Sequence, residues 1–363
     1  MILRRAPVYA KLFGRYFFYL LKFKFFRKNQ RPDIFVQLSR KDMGHEGRWI
    51  FLLLYFLAYG GKSAALIRNI RSFSDYYRLG KYGRLIFKLK HPVFLNRVPP
   101  PDPDAIFISD SELLENEKKK WLRFIFIDYD IRKTRQDIGR KPYIILNPRM
   151  HPLSYIYNTA DKIALLRESP RTLKLFFSGN VDQKTYSGNP ITDKFNILPR
   201  YQIIQTLKTL PKNSKMLIES EWQRTPFDKW LPTLAKCDFF LCPPAAHMPW
   251  SHNVVEAMAV GAIPLINYPE WFNPPLEHKI NCVVFSNKTD LLERVEEILA
   301  MKPDEIKIMR ENAIKYYEKF LSPAAFLQSI ETAPEGELVL FYNVEDPAIL
   351  RELDEESIIF AKP

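Results

Sequence analysis

From residue 33 onward the chain alternates short apolar runs with amphipathic stretches. Apolar runs rich in β-branched and aromatic residues predict strands at 34–38, 105–109, 124–128, 143–147, 173–178, 215–219, 238–242, 262–267 and 282–285. Stretches with one polar face predict helices at 200–210, 227–236 and 291–301, between the later strands. Strands that alternate with helices pair in parallel and are covered on both faces, so the fold class is α/β. Two such series, divided near 148–170, predict two Rossmann-like domains. The run 49–59 is intensely apolar but only 11 residues long. A membrane span needs ~20, so this run predicts a buried helix. Proline marks the breaks. "RVPPPDPDA" (97–105) predicts a rigid loop before a strand, and "LNPRMHPLS" (146–154) a hinge between the domains.

Charge adds two terminal segments to this picture. Residues 1–32 carry nine Lys or Arg, nine aromatics and no acid, within a chain of net charge +13. No apolar run there approaches a membrane span or a secretory signal. A basic, aromatic, amphipathic segment suits an anionic membrane surface, the alternative being a packed helix with a solvated basic face. No nucleic-acid motif accompanies the charge, so nucleic acid is not the expected partner. The last 33 residues reverse the balance, with nine acidic and two basic residues. The expected organisation is a membrane-associating segment at 1–32, an N-terminal domain at 33–160, a C-terminal domain at 161–330, and an acidic tail at 331–363 that packs back on the N-terminal domain. Three cysteines, Cys237, Cys242 and Cys282, show no metal-ligand spacing and read as core residues of a protein from a reducing compartment.

The densest chemistry lies in "CPPAAHMPWSHNVVEAMAVGAIPLINYPEW", residues 242–271. A buried strand ends at Cys242, a polar loop follows, and a helix begins near Asn253. Helix N-termini expose unpaired N–H groups and a partial positive charge, and ligands collect at the carboxyl ends of parallel strands. Ser251 and Asn253 can cap the helix, donate to a phosphate, or both. Glu256, one turn in, can accept from ribose hydroxyls. Gly261 ends the helix before the next strand.

The pattern Ser-x4-Glu-Ala-x3-Gly-x-Ile-Pro-x-Ile resembles the nucleotide-sugar site of GT-B glycosyltransferases. "FFLCPP…PWSHNVVEAMAVGAIPLI" with "NPPLEHKINCVVF" is similar to the C-terminal half of exostosin-like glycosyltransferases, as is "RTLKLFFSGN" at 171–180. The resemblance covers roughly residues 171–300. It implies a GT-B fold, with two parallel-sheet Rossmann-like domains facing a central cleft and a nucleotide-sugar donor on the C-terminal one. It also implies a glycan or glycolipid acceptor on the N-terminal domain and no obligatory metal; the nucleotide sugar is a substrate, so no cofactor is expected. By this resemblance Glu256 holds the donor ribose, while Ser251, Asn253 and the amides of Asn253 and Val254 hold the diphosphate. His252 belongs to the same loop, Gly179 leaves room for phosphate or sugar, and Arg200 or Lys184 supplies positive charge to the leaving group. Many retaining members carry a second glutamate eight positions before the ribose one. Here that position is Met248, beside His247, so inversion is the expected outcome.

An inverting transfer needs a base for the acceptor hydroxyl. The loop "SRKDMGHEGRW" (39–49) offers Asp42, His45 and Glu46 at the start of the apolar helix. Asp110, Arg149 and His151 are further candidates for the cleft. A rival signal is Asp128-x-Asp130, the pattern by which metal-dependent GT-A glycosyltransferases hold a divalent ion. The expected protein is a cytoplasmic, peripherally membrane-bound glycosyltransferase of surface polysaccharide or glycoconjugate synthesis. A non-catalytic glycan- or nucleotide-binding module is the alternative from another class.

Overall fold

The computed structural model describes residues 10–18, 32–38, 47–67, 85–86, 89, 93–95, 98–147, 150–211, 213–219, 225–342 and 346–360. They fall into two compact units. The first lies within Met1–Tyr129, Arg140–Ile144 and Phe326–Val344, and the second within Asp130–Gly139, Ile145–Ala325 and Glu345–Pro363. Each unit is therefore assembled from separated stretches of chain, not from one half of it.

The strands, in chain order, are β1 (Ile34–Gln37), β2 (Ala64–Ile67), β3 (Val93–Leu95), β4 (Ile106–Ser109), β5 (Arg123–Asp128) and β6 (Tyr143–Ile145). They continue with β7 (Leu173–Ser178), β8 (Met216–Glu219), β9 (Cys237–Leu241), β10 (Ile263–Ile266), β11 (Val283–Val284) and β12 (Gly336–Phe341). All nine expected strands are present, with edges shifted by one or two residues. β2, β3 and β12 are additional. β3 has three residues, too few for periodicity to declare itself.

The first unit holds a seven-stranded sheet in the order β3-β2-β1-β4-β5-β12-β6. The apolar helix Gly47–Tyr59 is mostly buried in this unit, as its composition predicts. β12 pairs in parallel with β5 along its whole length, from Gly336↔Arg123 to Phe341↔Asp128. The stretch 331–363 is thus not one appended tail. Part of it is an interior strand of the first sheet, while 346–360 belongs to the second unit. The buried Arg123 secures the approach to β12, donating to the carbonyls of Ile330, Ala333 and Pro334.

The second unit holds a five-stranded sheet in the order β11-β10-β9-β7-β8, and its pairs are parallel. Leu175, Phe177, Phe239, Leu241, Ile263 and Leu265 point from the central strands into one core, which Ile203 and Leu207 of the helix Arg200–Leu207 close from one side. The C-terminal Phe360 packs against Trp271 and Phe195 in the same unit. Among the described residues no helix is long and apolar enough to cross a membrane.

Candidate functional site

The chain enters the second sheet at β7, places β8 on one side, then returns to place β9 on the other. The order of strands reverses between β7 and β9, and such a switch leaves a crevice at their carboxyl ends. Ser178 ends β7 and is followed by Gly179 and Asn180, and Cys242 to Pro244 follow β9.

Arg200 joins these two ends. Its Nε donates to the Pro244 carbonyl at 3.0 Å and its Nη1 to the Asn180 carbonyl at 3.2 Å. The guanidinium lies 4.2 Å above the Tyr186 ring. Arg200 is the first residue of its helix and is almost fully buried. Burial holds the guanidinium below its usual range, partly offset by Tyr186 and Tyr268. Among the described residues it forms no salt bridge with a carboxylate. A cation at a helix N-terminus faces a like partial charge, so this arrangement favours an anion between them. The Tyr268 hydroxyl and Asn267 Oδ1 are buried without a hydrogen-bond partner among the described residues. Gly179 matters by its size: a Cβ there would lie 3.1 Å from the Phe177 ring and 3.9 Å from Arg200 Nη1. Asn189 steadies the loop after β9 by donating from Nδ2 to the Ala246 carbonyl at 2.9 Å.

The helix His252–Ala259 is capped as its sequence predicts. Ser251 Oγ accepts from the Asn253 N–H at 3.3 Å, and the Val254 N–H donates to the Ser251 carbonyl at 3.3 Å. Both amides expected to meet a diphosphate therefore carry internal bonds. Glu256 has 0% exposure. Its Oε1 accepts from the His151 backbone N–H at 3.0 Å and the Ser154 hydroxyl at 2.9 Å, and its Oε2 accepts from Trp230 Nε1 at 2.6 Å. His252 Nε2 lies 4.0 Å from the same Oε2. The His151 and His252 rings are 5.0 Å apart, and the Phe227 ring stacks on His151 at 5.8 Å. His151 Nδ1 accepts from the Leu153 N–H at 3.3 Å, which places the proton of the neutral ring on Nε2.

The structure thus brings Gly179 and Arg200 together at the switch, and His151, His252 and Glu256 together at the helix. Lys184 and His247 are exposed, and Met248 is buried. Asp42, His45, Glu46 and Arg149 lie outside the described residues. Asp110 accepts from the Tyr129 hydroxyl at 3.2 Å. Of the Asp128-x-Asp130 pair, Asp128 is buried, and Asp130 is ion-paired to Arg132 Nε at 2.7 Å. Hydrogen bonding to Arg132 holds the Asp130 carboxyl below its ordinary range. No cluster of three or more His, Cys, Asp or Glu among the described residues is arranged to hold a metal ion. Trp230, Ser154 and Asn189 were not legible as site residues. Trp230 sits on the apolar face of its helix, and nothing in one sequence pairs it with position 256.

No protein-family model matches the chain, and no curated protein matches it. Among solved structures it is similar to HepE of Anabaena in complex with UDP and glucose, with 12% identity over 83% of this chain and 98% of that one and a TM-score of 0.41. It is similar to the sucrose-phosphate synthase of Thermosynechococcus elongatus, with 11% identity over 82% and 98% and a TM-score of 0.39. It is also similar to MurG of Acinetobacter baumannii, with 9% identity over 83% and 99% and a TM-score of 0.34.

Proposed function

We propose that the protein is a nucleotide-sugar glycosyltransferase of the GT-B kind, with its donor on the second unit. Arg200 carries this reading. It is a buried cation at a helix N-terminus, without a carboxylate salt bridge among the described residues, bonded to both loops of the switch point between β7 and β9. A diphosphate supplies the charge that this position lacks. The motif resemblance to exostosin-like enzymes in residues 171–300 agrees with the placement.

In this reading Arg200 faces the diphosphate, Lys184 adds charge from the short helix Gln183–Tyr186 that follows β7, and Gly179 leaves room for phosphate or sugar. Ser251, His252, Asn253 and Val254 form the helix end toward the same group. Glu256 binds a ribose hydroxyl by exchanging it for one of its protein donors. The sugar C1–oxygen bond breaks, the diphosphate leaves with the electron pair, and an acceptor hydroxyl forms the new bond as its proton passes to a base. Asp42, His45 and Glu46 are the proposed source of that base. The methionine at 248, where many retaining enzymes carry a carboxylate, supports an inverting transfer. The acceptor is a glycan or glycolipid hydroxyl, as in surface polysaccharide or glycoconjugate synthesis at the cytoplasmic face of a membrane. Fixed charge at the leaving group is usually the largest catalytic contribution, and no metal is required for it.

Calorimetry with nucleoside diphosphates, followed by transfer assays across nucleotide sugars, tests this. Binding of at least one diphosphate that disappears in Arg200→Ala is the expected result. Failure of every diphosphate and nucleotide sugar to bind or react would overturn it.

A further inference from the structure

Residues 10–18 form a helix whose faces are unequally exposed. Leu12 and Tyr16 are buried, while Phe13, Phe17 and Phe18 are 56%, 53% and 63% exposed. At about 100° per residue, Leu12, Tyr16, Phe13 and Phe17 occupy one continuous arc of roughly 140°. The protein buries one half of that apolar arc and leaves the other half exposed. On the exposed half the Phe13 and Phe17 rings stack with centroids 6.5 Å apart. Lys11 and Arg15 are exposed too, and share the remaining side of the helix with Phe18.

A solvated basic face needs lysine and arginine but no phenylalanine. Three exposed phenylalanines beside exposed cations suit a boundary that is apolar on one side and anionic on the other. A bilayer surface with acidic lipids is such a boundary, because acyl chains take the rings and lipid phosphates take the cations. Charge complementarity extends beyond the helix, since residues 1–32 hold nine Lys or Arg and no acid.

We infer that the helix at 10–18 docks the protein on an anionic lipid bilayer. Phe13 and Phe17 enter the boundary between headgroups and acyl chains, Phe18 lies at the headgroup level, and Lys11 and Arg15 pair with lipid phosphates. This sharpens the membrane surface in the reading above to named side chains. It concerns a different part of the chain from the donor site and stands or falls separately from it.

Flotation of the full-length protein with vesicles tests the inference. One set is phosphatidylcholine alone, and the other includes about 30% phosphatidylglycerol. The protein is expected to float with the anionic vesicles only, and less so as salt rises from about 0.1 M to about 1 M. Phe13→Ser/Phe17→Ser changes exposed positions, so its melting temperature should match the parent while partitioning falls tenfold or more, on the order of what the lost apolar contact supplies. Lys11→Glu/Arg15→Glu should weaken partitioning by roughly fivefold or more per residue. Should the phenylalanine variant fold poorly, Phe18→Ser and the charge variant carry the same comparison. Absence of flotation with anionic vesicles, or flotation indifferent to both pairs, overturns the inference. So does binding to a labelled single- or double-stranded oligonucleotide that the charge variant loses while anionic vesicles are ignored, which would assign the surface to nucleic acid.

Discussion

Trp230 donates its indole N–H to Glu256 Oε2 at 2.6 Å, joining the helix Phe227–Leu234 to the helix His252–Ala259. With the His151 N–H and the Ser154 hydroxyl on the other oxygen, a fully buried carboxylate organises three separate segments of the second unit. Glu256→Ala would remove the acceptor and leave buried donors without a partner. The expected loss of stability is about 3–5 kcal/mol for Ala, and about 1–3 kcal/mol for Gln, which keeps one acceptor oxygen. Urea unfolding without ligand measures it. Parental stability in Glu256→Ala would mean that Glu256 serves only a ligand.

Arg200 is predicted to separate stability from binding. Its guanidinium is buried without a carboxylate salt bridge among the described residues, so a Met of similar length should leave the ligand-free protein about as stable as before. Affinity for a nucleoside diphosphate should fall roughly 100-fold, as expected for loss of a charge-assisted contact. Calorimetry and thermal unfolding of Arg200→Met give the two numbers. Equal loss in both would reduce Arg200 to a structural strut.

Gly261 ends the helix His252–Ala259 with φ +79°. A Cβ there would meet Ile314 Cδ1 at 3.1 Å, Arg171 Nη2 at 3.2 Å and Arg310 Cγ at 3.2 Å. Gly261→Ala should therefore destabilise the second unit by about 1–3 kcal/mol, from strained backbone and crowding together. Differential scanning calorimetry is the check. An unchanged transition would show that the three side chains and the backbone relax at no cost.

The cysteines should be silent in the native state. All three are buried, and burial pushes the Cys237 thiol up to about 12 and the Cys242 and Cys282 thiols well above their usual range. A disulfide reagent at pH 8 should label none of them until denaturant is added, because the thiolate is the reactive form. Rapid labelling of the native protein would contradict the packing around β9.

Asp290 sets part of the acid sensitivity. Burial pushes its carboxyl up, but the Ser286 N–H and hydroxyl and Arg294 outweigh this and hold it below its ordinary range. A carboxyl with a depressed folded-state pKa contributes stability above its unfolded pKa and loses it as pH falls through the folded one. The stability difference between parent and Asp290→Asn should be greatest near neutral pH and shrink as pH drops below about 4. A difference that stays constant from pH 7 to pH 3 would remove charge as its source.

Periodicity and local chemistry determine much of this protein without any tertiary contact. A run such as 173–178 is apolar because both faces of a parallel strand are covered, so its length and composition declare it without reference to a neighbour. The cap at Ser251 and the turn at Gly261 are equally local, since each depends on residues a few positions away. β12 was not legible, because "GELVLF" lies among acidic residues and only pairing with β5 gives its apolar side chains a core.

The site divides in the same way. That the loop after β9 leads into a helix N-terminus follows from the sequence between Cys242 and Glu256. That Arg200 spans the ends of β7 and β9, and that Glu256 is enclosed by Trp230, Ser154 and His151, was decided only by folding. These contacts join positions 20 to 105 residues apart. One chain carries no local signal for such pairs, because their energy comes from burial and mutual hydrogen bonding that exist only once the sheet has brought the segments together.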